Sequence, residues 1–129
     1  MDEETRFSNS HEWVKEYQQG KGVIGITAHA TEALGDIVFV ELPTVGEKFK
    51  KGEAFATVES VKAASDVYMP VDGVIEEVNT ELEESPGILN ESPYVNGWMV
   101  KVSLDHPYQM YETDLVNEED YLELLKSDK

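Results

Sequence analysis

The punctuation of the chain between Val45 and Val78 constrains its fold more than any other feature. Apolar segments there stay short, and turn signals close them: Gly46-Glu47, Lys51-Gly52-Glu53, then Val71-Asp72-Gly73. Asp-Gly is a strong hairpin signal, because both residues tolerate the positive φ of a tight reversal. Between these turns lie Ala54 to Glu59 and Val67 to Met69, and Val74 to Val78 follows. Strands this short and this regularly spaced predict a small sandwich or barrel.

The flanks extend the same reading. Residues up to about Phe7 read as a loose end, and His11 to Tyr17 as a strand. Gln19-Gly20-Lys21-Gly22 supplies a turn before a strand at Val23 to Ile26. Thr27 can cap a short helix through Leu34, with Gly35 as its stop. Ile37 to Leu42 is β-branched and aromatic, which predicts a largely buried strand ended by Pro43. Residues 79–97 read as loop with one helical turn, and Trp98 to Val102 as the last strand. Asn117 is a good N-cap for a terminal helix over about 117–126, with Tyr121, Leu122, Leu124 and Leu125 on one face. With 129 residues and no linker, the chain reads as a single domain over 1–129, its core at about 10–104.

Composition narrows the function. A net charge of -17, from 27 acidic and 10 basic residues, raises the question of disorder. Val, Ile, Leu and Phe make up roughly a quarter of the chain, enough for a core. Nucleic acid and anionic membranes would be repelled, and only Lys48, Lys50 and Lys51 form a basic cluster. With no cysteine, disulfides, a thiolate nucleophile and Cys-bound metal are excluded, so any thiol chemistry must come from an attached group. The acidic start has no apolar run behind it and no stretch approaches a membrane span, so a cytoplasmic protein is expected.

Lys62 stands out. It is the only Lys or Arg from Gly52 to Val100, and it sits in Glu59-Ser60-Val61-Lys62-Ala63-Ala64-Ser65-Asp66 between two strand-like segments. Small or apolar neighbours leave the amine open to an approaching enzyme, and the flanking strands hold it on a stiff bend. A modifying ligase needs those properties; the plainer alternative is a solubilising charge at a turn.

Other motifs carry less. Gly20-Lys21-Gly22-Val23-Ile24-Gly25 spells the dinucleotide fingerprint, but that site needs a preceding strand and a helix opening within the motif. It is better read as a glycine-rich turn. His11, His29 and His106 show no metal-ligand spacing, and neither a nucleophile elbow nor a P-loop occurs. No catalytic residue and no metal site is expected.

Ser10-His11-Glu12-Trp13-Val14, Gly25-Ile26-Thr27, and the block from Ala33 through Gly35-Asp36-Ile37 to Pro43 resemble, in this order, motifs of the glycine cleavage H-protein family. Glu59-Ser60-Val61-Lys62-Ala63-Ala64-Ser65-Asp66-Val67 is similar to the family's lipoylation segment, and Gly97-Trp98 to the start of its last core strand. One departure is Ala28, where the family usually has Asp. Biotin carrier domains differ in placing Met on both sides of the lysine, where Val61 and Ala63 stand here. Lipoyl domains of 2-oxoacid dehydrogenases usually sit in longer chains.

The resemblance implies a mainly β, lipoyl/biotinyl-type flattened sandwich (a barrel-sandwich hybrid) with short peripheral helices and a C-terminal helix. It implies lipoate amide-linked to Lys62 by a lipoate-attaching enzyme. The partners implied are glycine decarboxylase (P protein), aminomethyltransferase (T protein) and dihydrolipoyl dehydrogenase (L protein). Between them a non-catalytic, monomeric carrier would shuttle the aminomethyl group of glycine. Ser10, Glu12 and Asp66 would line a cleft for the loaded arm; the plainer readings are strand capping and hairpin closure. An alternative function is lipoyl relay to 2-oxoacid dehydrogenases, and a third is that of an unmodified acidic adaptor.

Overall fold

A computed structural model describes residues 4–127. Nine strands run β1 (Arg6–Phe7), β2 (Glu12–Gln18), β3 (Lys21–Ile26), β4 (Ile37–Glu41), β5 (Lys48–Phe49), β6 (Ala54–Ser60), β7 (Ala64–Tyr68), β8 (Gly73–Val78) and β9 (Val100–Leu104). Helices are α1 (Ala28–Leu34), α2 (Glu81–Glu84), α3 (Ile88–Glu91) and α4 (Glu118–Ser127), with a 3-10 turn at Pro107–Tyr111. The strands form an antiparallel six-stranded sheet, ordered β1-β2-β3-β9-β8-β5, and a three-stranded sheet, β4-β6-β7. This is the expected two-sheet sandwich, with no closed barrel.

One core joins the sheets. Val14, Ile24, Ile75 and Val102 from the large sheet meet Val40, Val58 and Val67 from the small one, all buried. Each such side chain contributes roughly 1.5–3 kcal/mol by leaving water. Alternation sets which residues turn inward along a strand, and β4 departs from it: Ile37 and Val40 are buried while Val38 and Phe39 are half exposed. The expectation of a largely buried strand at 37–42 is therefore corrected. A register shift between Ile37 and Phe39 lets two adjacent residues face outward.

Helix α1 follows the sequence reading. Thr27 Oγ1 accepts from the Ala30 N–H, and the Gly35 N–H bonds back to the Thr31 carbonyl with φ at 81°. The chain turns here from the large sheet to the small one.

Several expectations are corrected. Phe7 is no loose end: it is 1% exposed, pairs with Trp13 across β1–β2 and bridges to Val116. Val71-Asp72-Gly73 is not a hairpin, because β7 and β8 lie in different sheets and buried Met69 and Val71 carry the chain between them. The strand expected at Val67 to Met69 is Ala64–Tyr68, and the last strand begins at Val100 rather than Trp98. Residues 79–97 hold two short helices that bury Leu82 and Leu89. In α4 only Tyr121 is fully buried; Leu122 and Leu124 remain 49% and 46% exposed. Burial extends beyond residues 10–104 to Phe7, Met110, Leu115 and Tyr121.

Gly20 alone of the fingerprint-like glycines takes positive φ, in the β2–β3 turn, while Gly22 and Gly25 lie within β3. No helix opens inside the motif, so a dinucleotide cradle is ruled out by geometry. Among the described residues, no helix is long and apolar enough to cross a membrane.

Candidate functional site

Lys62 occupies the tip of the β6–β7 turn, and residues 61–66 are all exposed. The turn is stiffened locally. The Ser60 N–H donates to the Ala63 carbonyl at 2.8 Å, and Ser60 Oγ accepts from the backbone N–H groups of Lys62 and Ala63, each at 3.1 Å. From outside, the Val61 N–H reaches the Asp36 carbonyl at 3.1 Å, tying the tip to the segment after α1. A fixed backbone with a solvated amine suits acylation by an external enzyme. Among the described residues, no carboxylate forms an ion pair with Lys62.

At the other end of β7 lies a half-open cavity of about 350 Å³, with Ser8, Ser10, Glu12, Lys51, Tyr68 and Asp114 among its walls. Glu12 is the unusual member. It is 2% exposed, yet among the described residues no cation pairs with it. Its Oε1 accepts from Ser8 Oγ at 2.6 Å and Ser10 Oγ at 2.5 Å, and its Oε2 from the Tyr68 N–H at 3.2 Å. Burial pushes the carboxyl above its ordinary range, and the two hydroxyls and the Tyr68 N–H act against that rise. A buried carboxylate supported by neutral donors can still accept a cation, and its electrostatic balance improves when one arrives.

Ser10 and Glu12, which the family resemblance implies share a cleft, both line this cavity. Asp66 stands apart from that cavity's walls. It is exposed on β7 opposite Thr57, whose Oγ1 lies 3.4 Å from Asp66 Oδ1. It shares a strand face with Tyr68, two residues on, which does line the cavity. The five residues of β7, at about 3.3 Å each, separate the Lys62 turn from Tyr68. Sequence reasoning missed Ser8, Lys51 and Asp114. Lys51 Nζ lies 2.7 Å from an Asp114 carboxylate oxygen, and this ion pair closes the far wall. Ser8 is held by hydrogen bonds to Glu12 four residues on, whereas the Lys51–Asp114 wall needs the C-terminal segment to fold back, which no local pattern signals.

A two-sheet antiparallel sandwich with a lysine at a tight turn of its smaller sheet is the architecture of lipoyl/biotinyl-type carriers. The family model described as glycine cleavage H-protein matches residues 5–128. The chain belongs to this family, whose members are lipoyl carriers of the glycine cleavage system. The glycine cleavage system H protein of Vibrio campbellii is 48% identical over 128 residues, covering 99% of this chain and 100% of that protein. That of Vibrio parahaemolyticus is 49% identical over the same length and coverage. The crystal structure of a glycine cleavage system H protein from Mycobacterium marinum matches with a TM-score of 0.87 at 34% identity, covering 98% of this chain and 99% of that one.

Proposed function

We propose that this chain, as a single carrier unit, bears lipoate on Lys62 and shuttles the aminomethyl group of glycine among three enzymes. These are glycine decarboxylase, aminomethyltransferase and dihydrolipoyl dehydrogenase, met in turn by a free monomer in the cytoplasm. The observation that carries the reading is a pair at opposite ends of one strand. An exposed Lys62 stands at one end of β7 and a buried Glu12 at the other, neither with an ion-pair partner among the described residues.

A lipoyl group on Nζ supplies the disulfide that takes up the aminomethyl group and is reduced, chemistry a cysteine-free chain lacks. The protein's own residues anchor and protect. Ser60 holds the turn so that the amine projects. The Glu12 carboxylate, held by Ser8 and Ser10, accepts the ammonium of the load, and the cavity walls exclude the water that would hydrolyse it. Asp66, between the two ends on β7, lies along the path of the arm. Tethering keeps the load at high local concentration at each docked enzyme.

The test is reconstitution with the purified partner enzymes, following glycine-dependent CO2 release. The lipoylated protein supports turnover; Lys62→Arg, folded and equally charged, supports none. Sustained turnover with that variant rejects the reading.

A further inference from the structure

The turn carrying Ser8, Ser10 and Glu12 is held in an unfavourable backbone conformation. His11 has φ at 71°, and among the described residues it is the one non-glycine with positive φ. Such strain persists only where surrounding contacts impose it. Here the His11 N–H donates to the Ser8 carbonyl at 3.1 Å, and its own carbonyl accepts from the Thr27 N–H at 3.0 Å. Its ring is fixed from a distant part of the chain: Nδ1 lies 2.7 Å from the hydroxyl of Tyr121 on α4.

That hydroxyl is itself well placed. The Tyr121 ring is 3% exposed and stacks on Phe7 with centroids 4.7 Å apart. Its oxygen lies 2.8 Å from Thr27 Oγ1. Thr27 Oγ1, which accepts from the Ala30 N–H, can donate to Tyr121, and the Tyr121 proton can then go to His11 Nδ1 in the tautomer that leaves that nitrogen unprotonated. Burial pushes the Tyr121 hydroxyl up to about 12, further from ionisation than an ordinary phenol, which already carries its proton at neutral pH.

We infer that Tyr121 and His11 are positioning residues for the Glu12 cleft, with the C-terminal helix setting through them the turn that aims Ser8 and Ser10 at the carboxylate. Rotation about φ of His11 moves Ser10 relative to Glu12, so fixing that ring fixes the 2.5 Å Ser10–Glu12 bond. The inference rests on the cleft reading above only for its functional consequence. Neither residue is among the walls of the Glu12 cavity.

The experiment follows the Glu12 side chain of the unlipoylated full chain by carbon NMR through a pH titration. Tyr121→Phe keeps the stack on Phe7 and removes only the hydroxyl. His11→Gly accepts positive φ without strain and removes the ring. Each is expected to move the Glu12 midpoint upward, because the Ser10 hydroxyl no longer steadies the charged form. Once loaded, each is expected to lose the aminomethyl group severalfold faster. A Glu12 midpoint unchanged in both folded variants overturns the inference. Should Glu12→Gln itself leave that loss unaltered, the cleft reading fails, and the titration still decides the positioning role.

Discussion

The stem of Lys62 lies across the α-carbon of Gly35: a methyl group built on that glycine would stand 3.4 Å from Lys62 Cε and 3.8 Å from Nζ. The stop residue of α1 and the proposed attachment site are therefore neighbours in space, although 26 intervening residues, 36–61, separate them in the chain. One methyl fits there at ordinary contact distance, and a larger side chain does not.

Gly35→Ala is expected to lower stability by roughly 1–3 kcal/mol through backbone strain at its φ of 81°, with the Lys62 stem nearly undisturbed. Gly35→Leu adds displacement of the stem. Urea unfolding together with initial rates of lipoate attachment separates the two effects. Both variants lose stability, and only the leucine variant is acylated more slowly. Equal acylation of the two would show that this contact has no bearing on attachment.

Glu12 links the cleft to stability. Its folded pKa is raised by burial, so the native state holds the proton more tightly than the unfolded chain does. Its contribution is present below the unfolded carboxyl range and is lost as pH rises through the folded value. The stability of the wild-type protein relative to Glu12→Gln should therefore fall as pH is raised from about 4 to 7. Urea midpoints of both proteins across that range check this, and comparing the pair cancels the general repulsion of a chain with net charge -17. A constant difference would mean that Glu12 is not desolvated.

Asp66→Asn should matter less than Glu12→Gln. Asp66 is exposed and outside the cavity walls, so its field is screened by water. Spontaneous loss of the aminomethyl group, followed in parallel for both variants, should be clearly faster only for Glu12→Gln. The reverse ranking would relocate the ammonium site to β7.

Gly25 is constrained by Trp13. A methyl there would lie 2.7 Å from Trp13 Nε1, whose N–H donates to the Pro93 carbonyl at 3.1 Å. Gly25→Ala should cost about 1–3 kcal/mol by overpacking and should shift the tryptophan emission. An unchanged unfolding midpoint would mean that the indole moves aside freely.

Local chemistry was legible in the sequence, and distant pairing was not. Thr27 and Gly35 announce the ends of α1 because capping is decided within a few residues. The turn at Lys62 was legible from the strand-like segments on either side of it. Phe7 looks like part of a tail until Trp13, Val116 and Tyr121 surround it, and those contacts span nearly the whole chain. Asp72-Gly73 has hairpin chemistry but serves a crossing between sheets, because Met69 and Val71 are drawn into the core. Of the proposed cleft, Ser10 and Glu12 came from the family resemblance of the Ser10–Val14 motif, and the residues by themselves read as strand capping. The Lys51–Asp114 wall was set by folding of the C-terminal segment.

The central claim is that one amine bears the prosthetic group. Intact-mass measurement after incubation with lipoate, ATP and a lipoate-attaching enzyme tests it most directly. The wild-type chain should gain one lipoyl unit, and Lys62→Arg none. A lipoyl unit on the Lys62→Arg protein, or no gain on the wild type with an enzyme active on another carrier, would contradict it.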